Sequence, residues 1–220
     1  MKKLKFLISL TVLLLIGGLF SFTGSASAAE TDSFKESVGG LFVEIPYEES
    51  EVYVQNVETN NPNIEQINIY DKETNELISE ISVEDEVLYH GLARAASNDS
   101  YTSKVVTETT GSGYGKASLK ARLNVYSSGT FREIKGVLNT WWEQGSAATY
   151  FEQQNGTTIP TSGKWPATKV NISGNATLTA QTTQDMSAGF EKAGFSLSFG
   201  FGGNYYARKN VNLSYNYSLY

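Results

Sequence analysis

The chain of 220 residues contains no cysteine and a single histidine, His90. The lack of cysteine excludes disulfide bonds, thiolate metal sites and cysteine nucleophiles. Serine nucleophiles usually need a histidine as general base, and most zinc sites use histidine or cysteine ligands. A chain with a single histidine offers few ways to build either kind of site. His90 lies in a short polar stretch that we interpret as an exposed linker. We therefore expect neither histidine-dependent catalysis nor a bound metal or other cofactor.

Carboxylates are the remaining catalytic candidates in the C-terminal part of the chain. Paired Asp and Glu side chains hydrolyse glycosides when their separation is fixed, and no spacing in this sequence fixes such a pair. The candidates are Asp99, Glu108, Glu133, Glu143, Glu152, Asp185 and Glu191. The glycine-rich run at 111–115 precedes an alternating segment and not a helix, which favours a turn over a phosphate loop. The sequence predicts a protein that is not an enzyme.

Basic residues are scarce and unevenly placed. Residues 30–96 contain 16 Asp and Glu against three Lys and Arg, whereas residues 97–220 contain seven against eleven. A nucleic-acid-binding protein usually carries a denser basic stripe, so no nucleic-acid partner is expected. Two interpretations of the charge change stay open. The acidic segment is either a solvated N-terminal region or a prosegment that docks on the basic part and is removed by cutting near Arg94 or Ala96.

The one long apolar run lies at the N-terminus. Three lysines precede the apolar residues 6–22, and small residues follow up to Ala28 and Ala29. This order is typical of a secretory signal peptide cut after Ala28 or Ala29. An uncleaved anchor is the alternative, although the run is at the short limit for a membrane span. We expect a secreted, extracellular protein of a Gram-positive bacterium, whose layout resembles that of many small secreted proteins of such bacteria.

Period-two alternation of apolar and polar residues is the main positive signal. It divides the chain into a signal peptide (1–29), an acidic segment (30–96) and a β-rich domain (97–220). The expected strands are 40–47, 52–57, 64–71, 76–83, 105–109, 117–126, 130–138, 169–181, 195–201 and 211–219. A turn is expected at Asn155–Gly156 and a short helix over 185–193, capped by Gly194. The pattern predicts an all-β fold, with an antiparallel β-sandwich or small barrel over 97–220 preceded by a small acidic, hairpin-rich segment.

Two functional hypotheses follow from this layout. The first is a non-enzymatic domain that binds a cell-envelope or other extracellular surface, such as an anionic cell-wall polymer or a membrane surface. Its candidate contact residues are Trp141, Trp142, Tyr205, Tyr206, Arg208 and Lys209, because aromatic and arginine side chains are enriched at interfaces. The alternative is a bacteriocin-like or pore-forming toxin, in which the alternating runs at 195–201 and 211–219 form a membrane hairpin.

Overall fold

A computed structural model describes residues 33–86, 99–183, 187–199 and 205–220. About two thirds of these residues form β-strands, and every strand pairing is antiparallel, so the expected all-β class is confirmed. The signal-peptide positions Ala28 and Ala29, the cutting positions Arg94 and Ala96, and His90 lie outside the described residues.

Twelve strands are described, together with one short helix and one 3₁₀ turn. The strands are β1 (Phe34–Val38), β2 (Leu41–Ile45), β3 (Val52–Val57), β4 (Ile64–Asp71), β5 (Leu77–Glu86), β6 (Asp99–Thr110), β7 (Ala117–Ser128), β8 (Phe131–Gln144), β9 (Tyr150–Pro160), β10 (Lys169–Thr182), β11 (Ser196–Phe199) and β12 (Tyr205–Ser218). The 3₁₀ turn is Gly113–Gly115, and the helix, α1, is Ser187–Lys192.

The strands form two six-stranded sheets. The first sheet has the order β1-β2-β12-β10-β9, and β11 pairs with the end of β12 that β2 does not reach. The second sheet has the order β3-β4-β5-β6-β7-β8 and is a meander, because each strand pairs with the next along the chain. Backbone hydrogen bonds in both directions join Ile134 of β8 to Ala167, which lies in the connection between β9 and β10.

Buried side chains from both sheets form a single hydrophobic cluster. Each strand contributes alternate residues, because neighbouring side chains of a strand point to opposite faces. In β7 the buried set is Ala117, Leu119, Ala121, Leu123 and Val125, and in β12 it includes Val211, Leu213, Tyr215 and Tyr217. The chain from Thr31 to Tyr220 is one compact unit.

The acidic segment contributes strands to both sheets. Strand β2 pairs with β12 through Val43 and its neighbours, and β5 pairs with β6 over eight residue pairs. Several of its apolar side chains, including Leu41, Ile67 and Ile81, are fully buried in the shared cluster. The residues on either side of position 96 therefore build the same two sheets.

Ion pairs join the acidic and basic parts of the chain. Four of the seven ion pairs among the described residues link a carboxylate before residue 87 to a cation after residue 98. They are Asp85–Lys104, Glu80–Lys116, Glu86–Arg122 and Glu44–Lys169. The change of charge along the sequence thus corresponds to opposite charges that face each other across paired or packed strands.

Most strand bounds follow the sequence pattern, and β3 and β4 match the expected ranges. The expected turn at Asn155–Gly156 is wrong, because both residues lie inside β9. Gly156 pairs there with Gly174 of β10. Gly174 leaves room for the indole ring of Trp142, since a Cβ atom there would lie 3.0 Å from Trp142 Nε1, and a Cβ atom at Gly156 would lie 3.0 Å from Leu119 Cδ1. Here glycine serves close packing of a strand and not a change of direction.

Candidate functional site

The outer face of the second sheet carries a mixed row of charged, amide and aromatic side chains. Alternation in β7 points Lys120, Arg122, Asn124 and Tyr126 away from the buried cluster, and all four are partly exposed. The register with β8 then sets Trp141 opposite Lys120 and Glu133 opposite Tyr126. Local strand periodicity and register together create this face.

Three aromatic rings meet at one end of this face. Tyr126 lies between Tyr101 of β6, at 5.1 Å between ring centroids, and Phe131 of β8, at 6.3 Å. Tyr101 and Phe131 are 52% and 53% exposed, although each ring prefers burial. The ammonium group of Lys135 lies 5.0 Å above the Tyr126 ring, within the range of a cation–π contact. We call Tyr101, Tyr126 and Phe131 the aromatic cluster.

Trp141 lies further along the same face and is partly exposed. The guanidinium carbon of Arg122 lies 5.7 Å from its ring centroid, and Arg122 also donates a hydrogen bond of 2.8 Å to Glu86 Oε1. Lys120, which lies opposite Trp141 on β7, forms an ion pair with Glu143. Trp141 is therefore held on the outer surface by charged neighbours that are themselves paired.

Trp142 points to the opposite side of the sheet. Its side chain is 7% exposed, and its Nε1 donates a 2.6 Å hydrogen bond to the carbonyl oxygen of Asn155. The indole ring also packs against Phe151 at 6.0 Å between centroids. These contacts make Trp142 part of the packing between β8, β9 and β10, and it is not available to a partner on the outer face.

The four candidate residues of β12 are likewise divided between two faces. Tyr206 and Arg208 lie on the outer face of the first sheet, whereas Tyr205 and Lys209 have the parity of the buried residues. Lys209 Nζ donates a 2.8 Å hydrogen bond to the carbonyl oxygen of Ala193, just after α1, and burial lowers the pKa of this lysine. Tyr205 contacts Phe199 edge to face at 5.1 Å.

Arg208 is held by a carboxylate on the outer face of the first sheet. Its Nε donates a 2.7 Å hydrogen bond to Glu152 Oε2, and its Cζ lies 5.7 Å from the ring centroid of Tyr206. The hydrogen bond from Arg208 is the main reason that the pKa of Glu152 falls below its usual value, and a bond from Thr179 adds to the effect. The positive charge of Arg208 is thus already paired with the carboxylate of Glu152.

A second group of titratable side chains lies inside the molecule. Glu108 is fully buried between Ile81 and Leu119, its partners on β5 and β7, and it approaches the hydroxyl of the equally buried Tyr217. Both carboxyl oxygens of Glu108 and the hydroxyl of Tyr217 lack a hydrogen-bond partner among the described residues. Burial raises the pKa of Glu108 well above its usual value, and the contact with Tyr217 opposes this only in part.

Cavities near this buried group are open grooves at the surface. One of about 500 Å³ is lined by acidic and polar residues around Tyr47 and Asp71, and a smaller neighbour, of about 210 Å³, lies between Tyr47 and Tyr215. Burial raises the pKa values of both tyrosines. Glu108 does not line either groove. Among the described residues that line the two grooves, no nucleophile is held in contact with a histidine or carboxylate base.

Within the described ranges, no three His, Cys, Asp or Glu side chains are grouped so that they could hold a metal ion. None of the helices described in the structure has the length and apolar character needed to cross a membrane. No family model, curated protein or solved structure matches this chain, so its function is argued from the geometry alone.

The sequence analysis named Trp141 but missed the aromatic cluster, which lies on the same outer face. Tyr101, Tyr126 and Phe131 belong to three different strands and meet only through the register of β6, β7 and β8. The available signal covered only Tyr126 and Phe131, which flank the turn between the expected strands 117–126 and 130–138. That signal places these two at strand ends, but it does not place Tyr101 beside them.

Proposed function

We propose that this protein is a secreted, non-enzymatic β-sandwich that binds an extracellular surface, such as the bacterial cell envelope, through the outer face of the second sheet. The two sheets share one buried cluster between them, which supports a sandwich. The observation that carries the functional proposal is the exposed aromatic cluster, with two rings about half exposed on a face whose cations are paired with carboxylates. Exposed aromatic patches rimmed by polar residues mark interaction sites.

Retention of the acidic segment is part of this proposal. Removal of residues 30–96 would withdraw five strands and expose their partners on β6 and β12, where buried residues such as Val106 and Tyr217 now pack. A removable prosegment remains a prediction of the sequence. Mass spectrometry of the protein from culture medium tests it, because it distinguishes a chain that begins near Glu30 from one that begins near Ser97.

A sedimentation assay with purified cell-wall sacculi tests the surface-binding proposal. The exported chain should sediment with the sacculi, and the double variant Tyr101→Ala, Phe131→Ala should lose most of this binding. The matched control is Tyr206→Ala, which removes an aromatic side chain from the outer face of the other sheet and should bind normally. Equal binding by the double variant and the parent would show that the aromatic cluster is not the contact surface.

The membrane-active alternative is supported by the β11–β12 hairpin, where Phe199 is 72% exposed. Strand β12, however, buries Val211, Leu213 and Tyr215 in the shared cluster, so insertion of this strand requires the two sheets to separate. Dye release from vesicles containing anionic lipid separates the two functions. Release by the exported chain supports the toxin, and intact vesicles together with sacculus binding support the surface-binding domain.

A further inference from the structure

We infer that the ligand of the outer face of the second sheet is an uncharged polysaccharide, laid along β7 and β8 between the aromatic cluster and Trp141. This inference rests on the proposed function and specifies the class of its ligand. It differs from the anionic polymer that the sequence suggested as a partner, and the difference comes from how charges are arranged on this face.

Each cation on the outer face of β5 to β8 has a carboxylate partner within the described residues. The pairs are Lys116–Glu80, Lys120–Glu143, Arg122–Glu86 and Lys135–Glu133. Arg132 of β8 is directed toward the first sheet, where it donates a 2.8 Å hydrogen bond to the carbonyl oxygen of Gly40. Glu84, on the same outer face, adds a further negative charge. A polyanion would have to displace these carboxylates and would meet repulsion, whereas a neutral chain meets none.

The aromatic side chains supply what a neutral sugar chain needs. A pyranose ring has a face of C–H groups that packs on an aromatic ring and a rim of hydroxyl groups that accept and donate hydrogen bonds. Tyr101 and Phe131 offer half-exposed rings at one end of the face. The exposed amide side chain of Asn139 lies on the outer face of β8, between the aromatic cluster and Trp141, and offers polar groups for the rim.

The spacing of the rings favours an extended polymer over a small sugar. Trp141 is opposite Lys120, and Tyr126 lies six residues further along β7. At about 3.3 Å per residue, the two aromatic positions are about 20 Å apart along the strand direction. A linear polysaccharide can contact both positions at once, and two linked contacts raise the overall affinity well above that of either one.

The test compares insoluble neutral and charged surfaces with the exported chain. Chitin and cellulose serve as neutral probes, and sacculi are used before and after removal of their phosphate-linked anionic polymers. The chain should sediment with at least one neutral probe and bind both kinds of sacculi equally. Binding should also be constant between about 0.1 and 1 M salt, over which the screening length falls from about 10 to about 3 Å.

Variants of the two aromatic positions test the geometry. Trp141→Ala and the double variant Tyr101→Ala, Phe131→Ala should each weaken binding to the neutral probe about tenfold, the change that corresponds to a loss of roughly 1.4 kcal/mol. Lys192→Gln, which removes an exposed charge at the end of α1, should leave binding unchanged. Tyr206→Ala again controls for the loss of an exposed ring, and circular dichroism and thermal midpoints confirm that each variant is folded.

The outcomes separate the inference from the proposed function. A chain that binds no sacculi of either kind contradicts both. A chain that binds only untreated sacculi, loses that binding in high salt and ignores chitin and cellulose binds a surface through charge, which overturns the polysaccharide inference and leaves the surface-binding function. Normal binding to the neutral probe by all aromatic variants also overturns the inference, since it places the sugar elsewhere.

Discussion

Replacement of Glu108 by glutamine should remove a specific pH dependence from the stability of this protein. Glu108 is fully buried, and its carboxyl oxygens have no hydrogen-bond partner among the described residues. Burial therefore raises the pKa of Glu108 in the folded state well above its usual value. An unfolded chain ionises the same side chain near its ordinary pKa of about 4.3.

The sign of the effect follows from proton binding. Above the ordinary pKa, the unfolded state has lost the proton of Glu108 while the folded state still holds it. Stability must then fall as the pH rises, until the folded state ionises as well. The slope contributed by one such group is at most about 1.4 kcal/mol per pH unit, so three units would remove at most about 4 kcal/mol. That is a large part of the roughly 5–15 kcal/mol that stabilises a typical domain.

Urea unfolding of the exported chain between pH 5 and pH 8 measures this slope. Glu108→Gln should show a flatter profile than the parent, because glutamine does not titrate. Glu73→Gln is the charge-matched control, since it removes a carboxylate from an exposed turn and should keep the parent slope. Parallel profiles for Glu108→Gln and the parent would refute the argument that a neutral carboxyl is buried at this position.

Four substitutions test packing and electrostatics by equilibrium unfolding. Trp142→Ala should lower the free energy of unfolding by about 3–5 kcal/mol, because it leaves a cavity at a buried site. Trp141→Ala, on the outer face, should lower the free energy of unfolding far less. Equal losses would contradict the assignment of the two tryptophans to opposite faces. Gly174→Ala should destabilise the protein, because its Cβ would lie 2.5 Å from a backbone oxygen of β9, and a neutral result would contradict that close approach. Burial alone would raise the pKa of Glu44. The hydrogen bonds that Glu44 accepts from Lys169 and Asn216, together with the charge of Lys169, outweigh burial and lower this pKa. Glu44→Gln should therefore lower the free energy of unfolding near neutral pH. The difference in free energy of unfolding between the variant and the parent should become smaller as the pH falls through the acid range. A difference that does not change with pH would contradict a stabilising ion pair between Glu44 and Lys169.

The strands could be predicted because their signal is local. In β7, five apolar residues alternate with polar ones, and the structure buries the first set and leaves the second partly exposed. The same rule separates Trp141 from Trp142 and Tyr205 from Tyr206, since adjacent residues of a strand point to opposite faces. A contact surface that includes both members of such a pair is therefore not a single face. All six candidate residues lay outside the strands expected from the sequence, so parity could be applied to them only once the structure showed that β8 extends to Gln144 and that β12 begins at Tyr205.

The aromatic cluster and the ion pairs could not be predicted in the same way. Tyr101 meets Tyr126, and Glu44 meets Lys169 across 125 positions, only because particular strands pair in a particular register. Register depends on packing across the whole sheet and is not encoded in any short window. Strand β1 was missed because only Val38 of its five residues is fully buried. Asn155–Gly156 has the composition of a turn, but the structure places it inside β9, where Gly156 pairs with Gly174 and the Asn155 carbonyl oxygen accepts a hydrogen bond from Trp142 Nε1.

The most direct test of the account is a cut between residues 86 and 99, made at a protease site introduced into the exported chain and followed by size-exclusion chromatography and native mass spectrometry. The account predicts that the acidic and basic fragments elute together and unfold in one transition, because strand pairs, four ion pairs and a shared core hold them. Separate elution, with the C-terminal fragment alone keeping its β-sheet spectrum and a cooperative transition, would contradict it.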